Sequence, residues 1–396
     1  MLFQNYVLVG LSAIATASPT QHSARQSSFK HPGVFISQKQ LDHVKAHINS
    51  EPYAAALRDL NGVWYTPSSY TPSPVATVVC NGGGSNEVGC KERRYDSLSA
   101  YANALRWALT GDGASAQAAI RIFDAWSSTL KTQQRYADFP EQVGLESGWV
   151  TSTLTRAAEI IRHTNAGWSH SSQDAFTRML KEIYLPEIRN GSGDNPNNVD
   201  SVMLEGAMGI AIFTDDVALY QSVLNRLKEH IASYIYLDDD GPLPNPPEWS
   251  SKISYYRTEA GLRALYRLPS GPFYHGQLME TCRDLPHASY GLASISHMME
   301  TAYIQGDDLY SGDTGTRLKA ALEQHARIAD GISVNGMCNG QINGKMEYIF
   351  EPGYNAFRRR GESLPYTAEY IRTHRPAKQN SMFVGFETLT HGDNPN

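Results

Sequence analysis

The sequence predicts an all-α fold: an (α/α) toroid, an incomplete barrel of antiparallel helical hairpins whose long loops border a cleft. Three observations carry this expectation. Apolar residues recur at spacings of three and four through segments near 94–110, 114–132, 146–164, 171–188, 199–213 and 215–235. The connections, such as Thr110-Gly-Asp-Gly113 and Thr214-Asp-Asp216, are short enough to force neighbouring helices antiparallel. Strictly alternating strand patterns are scarce before residue 330. So many hairpins favour closure into a toroid over an open bundle, with an α-solenoid as the alternative. No sequence motif repeats, so any hairpin repeat is structural.

Taken in order, residues 1–17 read as a secretory signal peptide. The run from Tyr6 to Ala17 is apolar, short and ends in small residues, although no Lys or Arg precedes it. Residues 18–30, rich in Ser, Gln and Thr, read as a flexible leader, and 31–396 as a single domain. Ser37 caps a helix running to about residue 48, and a second follows at about 53–60. Residues 63–93 and 236–256 carry Pro and Gly without sustained periodicity, as loops bordering a binding site often do. Helices resume near 257–267, 286–304 and 314–329. From residue 332 the tail mixes short possible strands with a helix-like 365–374.

A length of 396 residues allows ample core, and a net charge of −6 argues against a nucleic-acid partner. A local basic cleft would still accept an acidic substrate. The 22 Tyr and 6 Trp suit stacking on sugars as well as ordinary core packing. No later segment approaches the apolar length of a membrane span. Four cysteines fit an oxidising, extracellular compartment. Cys80 and Cys90 flank a Gly-rich loop, and loop economy pairs them, leaving Cys282 with Cys338. Asn190-Gly-Ser192 is a glycosylation sequon. There is no GxSxG, HExxH, CxxC or phosphate-cradling loop. His163 and His170, like His287 and His297, stand isolated on helices, so neither a metal nor a cofactor is expected. The chain is expected to be monomeric.

The densest chemistry lies in Glu280-Thr-Cys-Arg-Asp-Leu-Pro-His-Ala-Ser-Tyr-Gly291. Asp284 or Leu285 can cap a helix whose first turn tolerates Pro286. His287 and Tyr290 then share a face, turned roughly 140–200° from the buried stripe Leu292, Ile295, Met299 and Ala302. A guanidinium (Arg283), an imidazole and a phenol at a helix start suit an anionic ligand whose proton must be moved. Asn197 and Asn198, ahead of another helix, are either caps or amides aimed at a carboxylate. Asp215, Asp216 and the Asp238–Asp240 cluster would suit a glycoside hydrolase or serve as helix caps. Trp249, Tyr255 and Tyr256 either meet sugars or pack their loop. Tyr354, Asn355 and Arg358 either line an anion cleft or form a solvated basic edge.

Four pieces in the same order resemble the alginate-lyase toroid family of polysaccharide lyases. They are Gly148-Trp149 with Arg156-Ala-Ala-Glu-Ile-Ile161; Asn198-Val-Asp with Met208-Gly-Ile-Ala-Ile-Phe-Thr-Asp-Asp216; Glu280 to Tyr290; and Tyr354-Asn followed by Leu364-Pro-Tyr-Thr-Ala-Glu-Tyr370. The similarity spans about residues 30–376. It implies a metal-independent β-elimination of a uronic-acid polymer, leaving a 4,5-unsaturated uronate end. By position, Asn198 and Arg283 match the family's carboxylate-binding pair, and Tyr290 its proton-handling tyrosine. Such lyases often place a histidine directly after the asparagine, where this chain has Val199. The imidazole would then come from His287, and β-linked glucuronate gains ground beside mannuronate. The expected partner is an anionic polysaccharide. The alternatives are a toroid glycoside hydrolase using Asp215 or Asp240, and a secreted carbohydrate-binding protein without catalysis.

Overall fold

A computed structural model describes residues 28–84, 86–193 and 195–396. The expected signal peptide, and all but the last three residues of the leader, lie outside the described residues. The helices are α1 (Gln38–Ala46), α2 (Tyr53–Gly62), α3 (Cys90–Thr110), α4 (Gly113–Thr129), α5 (Gln142–His163), α6 (His170–Met179), α7 (Leu185–Ile188) and α8 (Asn198–Phe213). There follow α9 (Val217–Tyr234), α10 (Ile253–Tyr256), α11 (Glu259–Leu265), α12 (Leu285–Ile304), α13 (Gly312–Ala329), α14 (Glu351–Arg359), α15 (Pro365–His374) and α16 (Glu387–His391).

Sequence decides which helices stand inside. Every residue of α8 except Val199 is buried, as a helix apolar nearly all round requires. In α9 the buried Leu219, Tyr220, Val223, Leu224, Leu227 and Ile231 mark one stripe, so the helix lies on the outside. Helices α3, α5, α8 and α12 pack side by side, and α14, α16 and α1 close the circle back on α3. Outside this ring, α4 and α6 pack together, α9 lies against α8, and α13 lies against α12. This is the expected (α/α) toroid. The stripe Leu292, Ile295, Met299 and Ala302 is buried as its spacing predicts. Each large side chain in it contributes ~1.5–3 kcal/mol.

The inner helices run parallel. A Cβ on Gly148 of α5 would lie 2.7 Å from the Val202 carbonyl of α8, so only glycine permits this approach. Two turns further along α5 and about one along α8, Arg156 pairs with Glu205. Gly291 of α12 faces the Asn197 side chain just ahead of α8, and His297 again reaches Glu205. The N-terminal ends of α5, α8 and α12 therefore open at one end of the ring.

Both expected disulfides, Cys80–Cys90 and Cys282–Cys338, are formed. No helix among the described residues is long and apolar enough to cross a membrane. The structure corrects three expectations. A short parallel pair, β1 (Thr77–Val79) with β2 (Thr132–Gln134), interrupts the first long loop. The tail has no strand among its described residues. Its segment after residue 332 is held by the Cys282 bridge, by the Leu285 N–H on the Asn343 carbonyl, and by the Glu347 N–H on Ser289 Oγ. Third, neither His163 nor His297 is isolated. The His163 ring stacks on His31, and His297 joins Arg156, Glu205 and Glu387 in a buried polar cluster within the ring.

Candidate active site

The start of α12 forms as its sequence predicts. Asp284 caps the helix, accepting the His287 N–H at 2.9 Å, and Pro286 sits in the first turn. The same carboxylate lies 2.7 and 2.8 Å from His287 Nδ1. An ionised carboxylate only accepts, so Nδ1 carries the hydrogen, and it is Nε2 that bears the lone pair whenever the ring is neutral. Nε2 makes no hydrogen bond among the described residues. Burial pushes the Asp284 carboxyl upward, but the His287 hydrogen bonds and the charges of His287 and Arg283 outweigh it. The net shift is downward, so Asp284 stays ionised.

Tyr290 follows one turn later, half-buried among aromatic rings. Its centroid lies 6.2 Å from Trp149, 6.2 Å from Phe383 and 6.0 Å from His287. Burial, then the negative charges of Glu347 and Asp284, push its hydroxyl up to about 12, with Arg94 opposing. Near pH 7 the hydroxyl therefore keeps its proton, so Tyr290 stands as a proton donor.

Asn198 opens α8 and brings its amide to the same place. Its Nδ2 donates to Glu280 Oε1 at 2.8 Å, and Arg283 Nη1 lies 3.4 Å from that oxygen. An amide and a guanidinium from distant parts of the chain thus converge on one carboxylate, that of Glu280. Directly behind, Asn197 has φ +79°, and neither atom of its buried amide has a hydrogen-bond partner. Such strain persists only where the surroundings impose it. Asp200, one turn into α8, accepts from the Ser192 N–H, His230 and Tyr234, and so fixes the loop that carries the asparagines.

A cleft of about 280 Å³ adjoins Arg283 and Glu280, lined also by Asn195, Val199, Tyr255 and Tyr256. Tyr255 is 51% exposed there, while Tyr256 is buried. The structure does not bring the remaining candidates to the cluster. Trp249 stacks on His230 at 3.5 Å and packs edge-on against Tyr234, as loop core. On α14, Asn355 donates to the Asn394 carbonyl and Arg358 donates to Asn355, while Tyr354 packs on the core. Asp216 caps α9, Asp215 meets His31, and Asp240 is clamped by both Arg317 nitrogens at 2.7 and 2.8 Å. Asp215 is 64% exposed, but none of the three carboxylates lines the cleft beside Arg283. Asn190 is exposed at its sequon.

Four neighbours of the cluster had no role in the sequence reading: Glu280, Asp284 as partner of His287, Trp149 and Glu347. The spacing of three from Asp284 to His287 was a usable local signal. The others meet the site only through tertiary packing.

The sequence model of the alginate lyase family matches residues 80–333, well over half of the chain. The chain belongs to the alginate lyase family. This polysaccharide lyase shares its fold with an alginate lyase from Bacteroides ovatus, at TM-score 0.59 and 13% identity over 91% of this chain and 99% of that one. Alginate lyase A1-III from Sphingomonas species A1 superposes at TM-score 0.57 and 14% identity, over 93% of this chain and 99% of that one. A variant of A1-III complexed with a tetrasaccharide gives TM-score 0.58 and 13% identity, over 94% of this chain and 98% of that one. No curated protein sequence matches this lyase.

Proposed function

We propose that this lyase cleaves a polyuronate of β-linked mannuronate or glucuronate by syn β-elimination, without metal. The observation that carries this reading is the placement of His287 and Tyr290 on one helical turn, 6.0 Å apart. Both groups stand on the first two turns of α12, just after Arg283 at the cleft. They suit a sugar whose C5 hydrogen and O4 lie on the same side of the ring, as in both of these uronates. Guluronate, with the two on opposite sides, would need donors from two walls.

The remaining roles follow from the donors. Asn198 and Arg283, which now share the Glu280 carboxylate, are the pair to neutralise the substrate's carboxylate and so acidify its C5 proton. His287 Nε2 takes that proton. The electron pair left at C5 forms the C4–C5 double bond as the C4–O4 bond breaks, and Tyr290 gives its phenolic proton to O4. Proton return from His287 to the tyrosinate restores both groups. Tyr255, exposed at the cleft edge, is the ring to meet a neighbouring sugar, with the buried Tyr256 behind it. The two disulfides and the Asn190 sequon accord with a secreted, glycosylated enzyme.

The test incubates the protein with mannuronan, guluronan and glucuronan in excess chelator and follows the ultraviolet absorbance of the unsaturated uronate. Absorbance should rise on mannuronan or glucuronan and stay flat on guluronan. No rise on any of the three would sink the reading, and a preference for guluronan would break its stereochemistry.

A further inference from the structure

At the opposite end of the ring, three donors from distant parts of the chain converge. His31 Nδ1 lies 2.8 Å from Glu159 Oε2, and His163 Nε2 lies 3.7 Å from Glu159 Oε1. The two imidazole rings stack at 4.5 Å, with 11° between their planes. Asp215 Oδ1 stands 3.3 Å from the other nitrogen of His31. Glu159 and His163, four apart on α5, share a helical face. Glu159 is fully buried, yet its Oε1 has no hydrogen-bond partner.

One proton cannot satisfy this arrangement. If His31 Nδ1 donates to Glu159, a lone pair on Nε2 faces Asp215; if Nε2 donates to Asp215, a lone pair on Nδ1 faces Glu159. A doubly protonated His31 would answer both carboxylates. It would still leave Glu159 Oε1, a buried acceptor, without a donor. A cation among the three donors resolves all of this at once.

We propose that His31, Glu159 and His163 form a divalent transition-metal site, Zn²⁺ above all, with Asp215 orienting His31. The donor set of two imidazoles and a carboxylate suits zinc, with a water completing the fourth position. Tetrahedral bonds of 2.0–2.1 Å place ligand atoms about 3.3 Å apart. The two imidazole nitrogens stand 2.8 and 3.7 Å from the two different oxygens of Glu159, and one ligand atom from each of the three residues lies within 4.8 Å of the others. Asp215 accepting from Nε2–H leaves Nδ1 as the ligand, the carboxylate–histidine–metal arrangement that fixes a tautomer. His163 is 29% exposed, which gives the ion a path from solvent. The ion would fasten residues 31–33, whose Gly33 N–H already binds Glu159, to the far end of α5 from Trp149. The site is therefore structural and separate from the cleft.

The experiment uses the untagged full chain, stripped with chelator and desalted, then titrated with ZnCl₂. Calorimetry and elemental analysis should find one zinc per chain, and zinc should raise the Tm. His163→Ala, at a partly exposed position, should weaken zinc binding by at least ~100-fold while the protein stays folded, and Asp215→Asn by ~10–100-fold. Lyase turnover of His163→Ala should equal that of the wild type. Folded wild type that retains no stoichiometric zinc, or His163→Ala that binds it as tightly as wild type, would overturn the site.

Discussion

Two histidines on α12 lie ten residues apart in equally polar company. His297, within the ring, has Nδ1 3.1 Å from Glu205 and 2.7 Å from Arg156, and Nε2 2.8 Å from Glu387. Its side chain is 1% exposed. His287, at the mouth, has Nδ1 held by Asp284 and Nε2 unshared, and its side chain is 33% exposed. Saturation of both nitrogens in a dry site makes an imidazole a structural cross-link between α5, α8, α12 and α16. One anchored nitrogen and one free one make it available for proton transfer. The number of charged neighbours does not separate the two; the unshared nitrogen on a partly exposed ring does.

The sharpest break of this comparison comes at the mouth. Tyr290→Phe removes a hydroxyl that makes no hydrogen bond among the described residues. Turnover on the polyuronate should fall ~10²–10⁴-fold, with the Tm nearly unchanged. His287→Gln should behave alike, because its exposed position limits the stability change to roughly 0.5 kcal/mol. Near-normal turnover in either variant removes that residue from the chemistry.

Within the ring the expected loss is of stability. His297→Ala leaves Glu387 and Glu205 short of a buried partner and should cost ~3–5 kcal/mol by denaturant unfolding. The kcat of the folded fraction should stay near wild type. Burial and Arg156 push the His297 pKa down, but Glu205 and Glu387 prevail and hold it above its ordinary value. A raised folded-state pKa means that this contribution is full below about pH 6.5 and fades as pH rises through the folded value. Unfolding of the wild type should show that decline, and His297→Gln should flatten it; an unchanged slope would remove His297 as its source.

Glu280 stands between the two cases, bonding Asn198 from 82 residues further along the chain as well as its near neighbour Arg283. Glu280→Gln keeps an acceptor for the amide but weakens the bond to the guanidinium, a loss of about 1 kcal/mol. We expect kcat/KM to fall by ~5–10-fold, with little change in Tm. An unchanged kcat/KM would show that Glu280 does not position the pair.

The start of α12 was legible because its causes are local. Asp284, Pro286 and the stripe from Leu292 to Ala302 act within a few turns, so the cap, the buried face and the outward turn of His287 and Tyr290 follow from spacing. The hairpins and the Cys80–Cys90 pair were legible for the same reason, and Cys282–Cys338, 56 residues apart, followed by elimination. Partners supplied by remote segments were not. Nothing around Asn198 announces Glu280, nothing near His163 announces His31, and only folding stacks His230 on Trp249. The strand pair Thr77–Val79 with Thr132–Gln134 was hidden because three residues on each side carry no readable alternation. In the tail, polar and aromatic residues such as Tyr354, Asn355 and Arg358 fit a cleft or a packed helix equally well. The Asn394 carbonyl, far along the chain, decided for packing.

Two aromatic residues from the second long loop give the smallest and most discriminating contrast. Tyr255 is 51% exposed beside the cleft that Arg283 lines, whereas Trp249 lies flat on His230 with its indole N–H buried. If Tyr255 meets sugars, Tyr255→Ala loses a contact worth ~0.5–1.5 kcal/mol. KM for the polymer should then rise roughly 2–12-fold at unchanged kcat and Tm. Trp249→Leu should do the reverse, lowering the Tm while KM stays put, because its ring braces His230, which in turn holds Asp200 at the base of α8. A rise in KM for Trp249→Leu with a normal Tm would place that indole at the substrate after all. It would also show that stacking on a buried histidine does not exclude an aromatic side chain from the cleft.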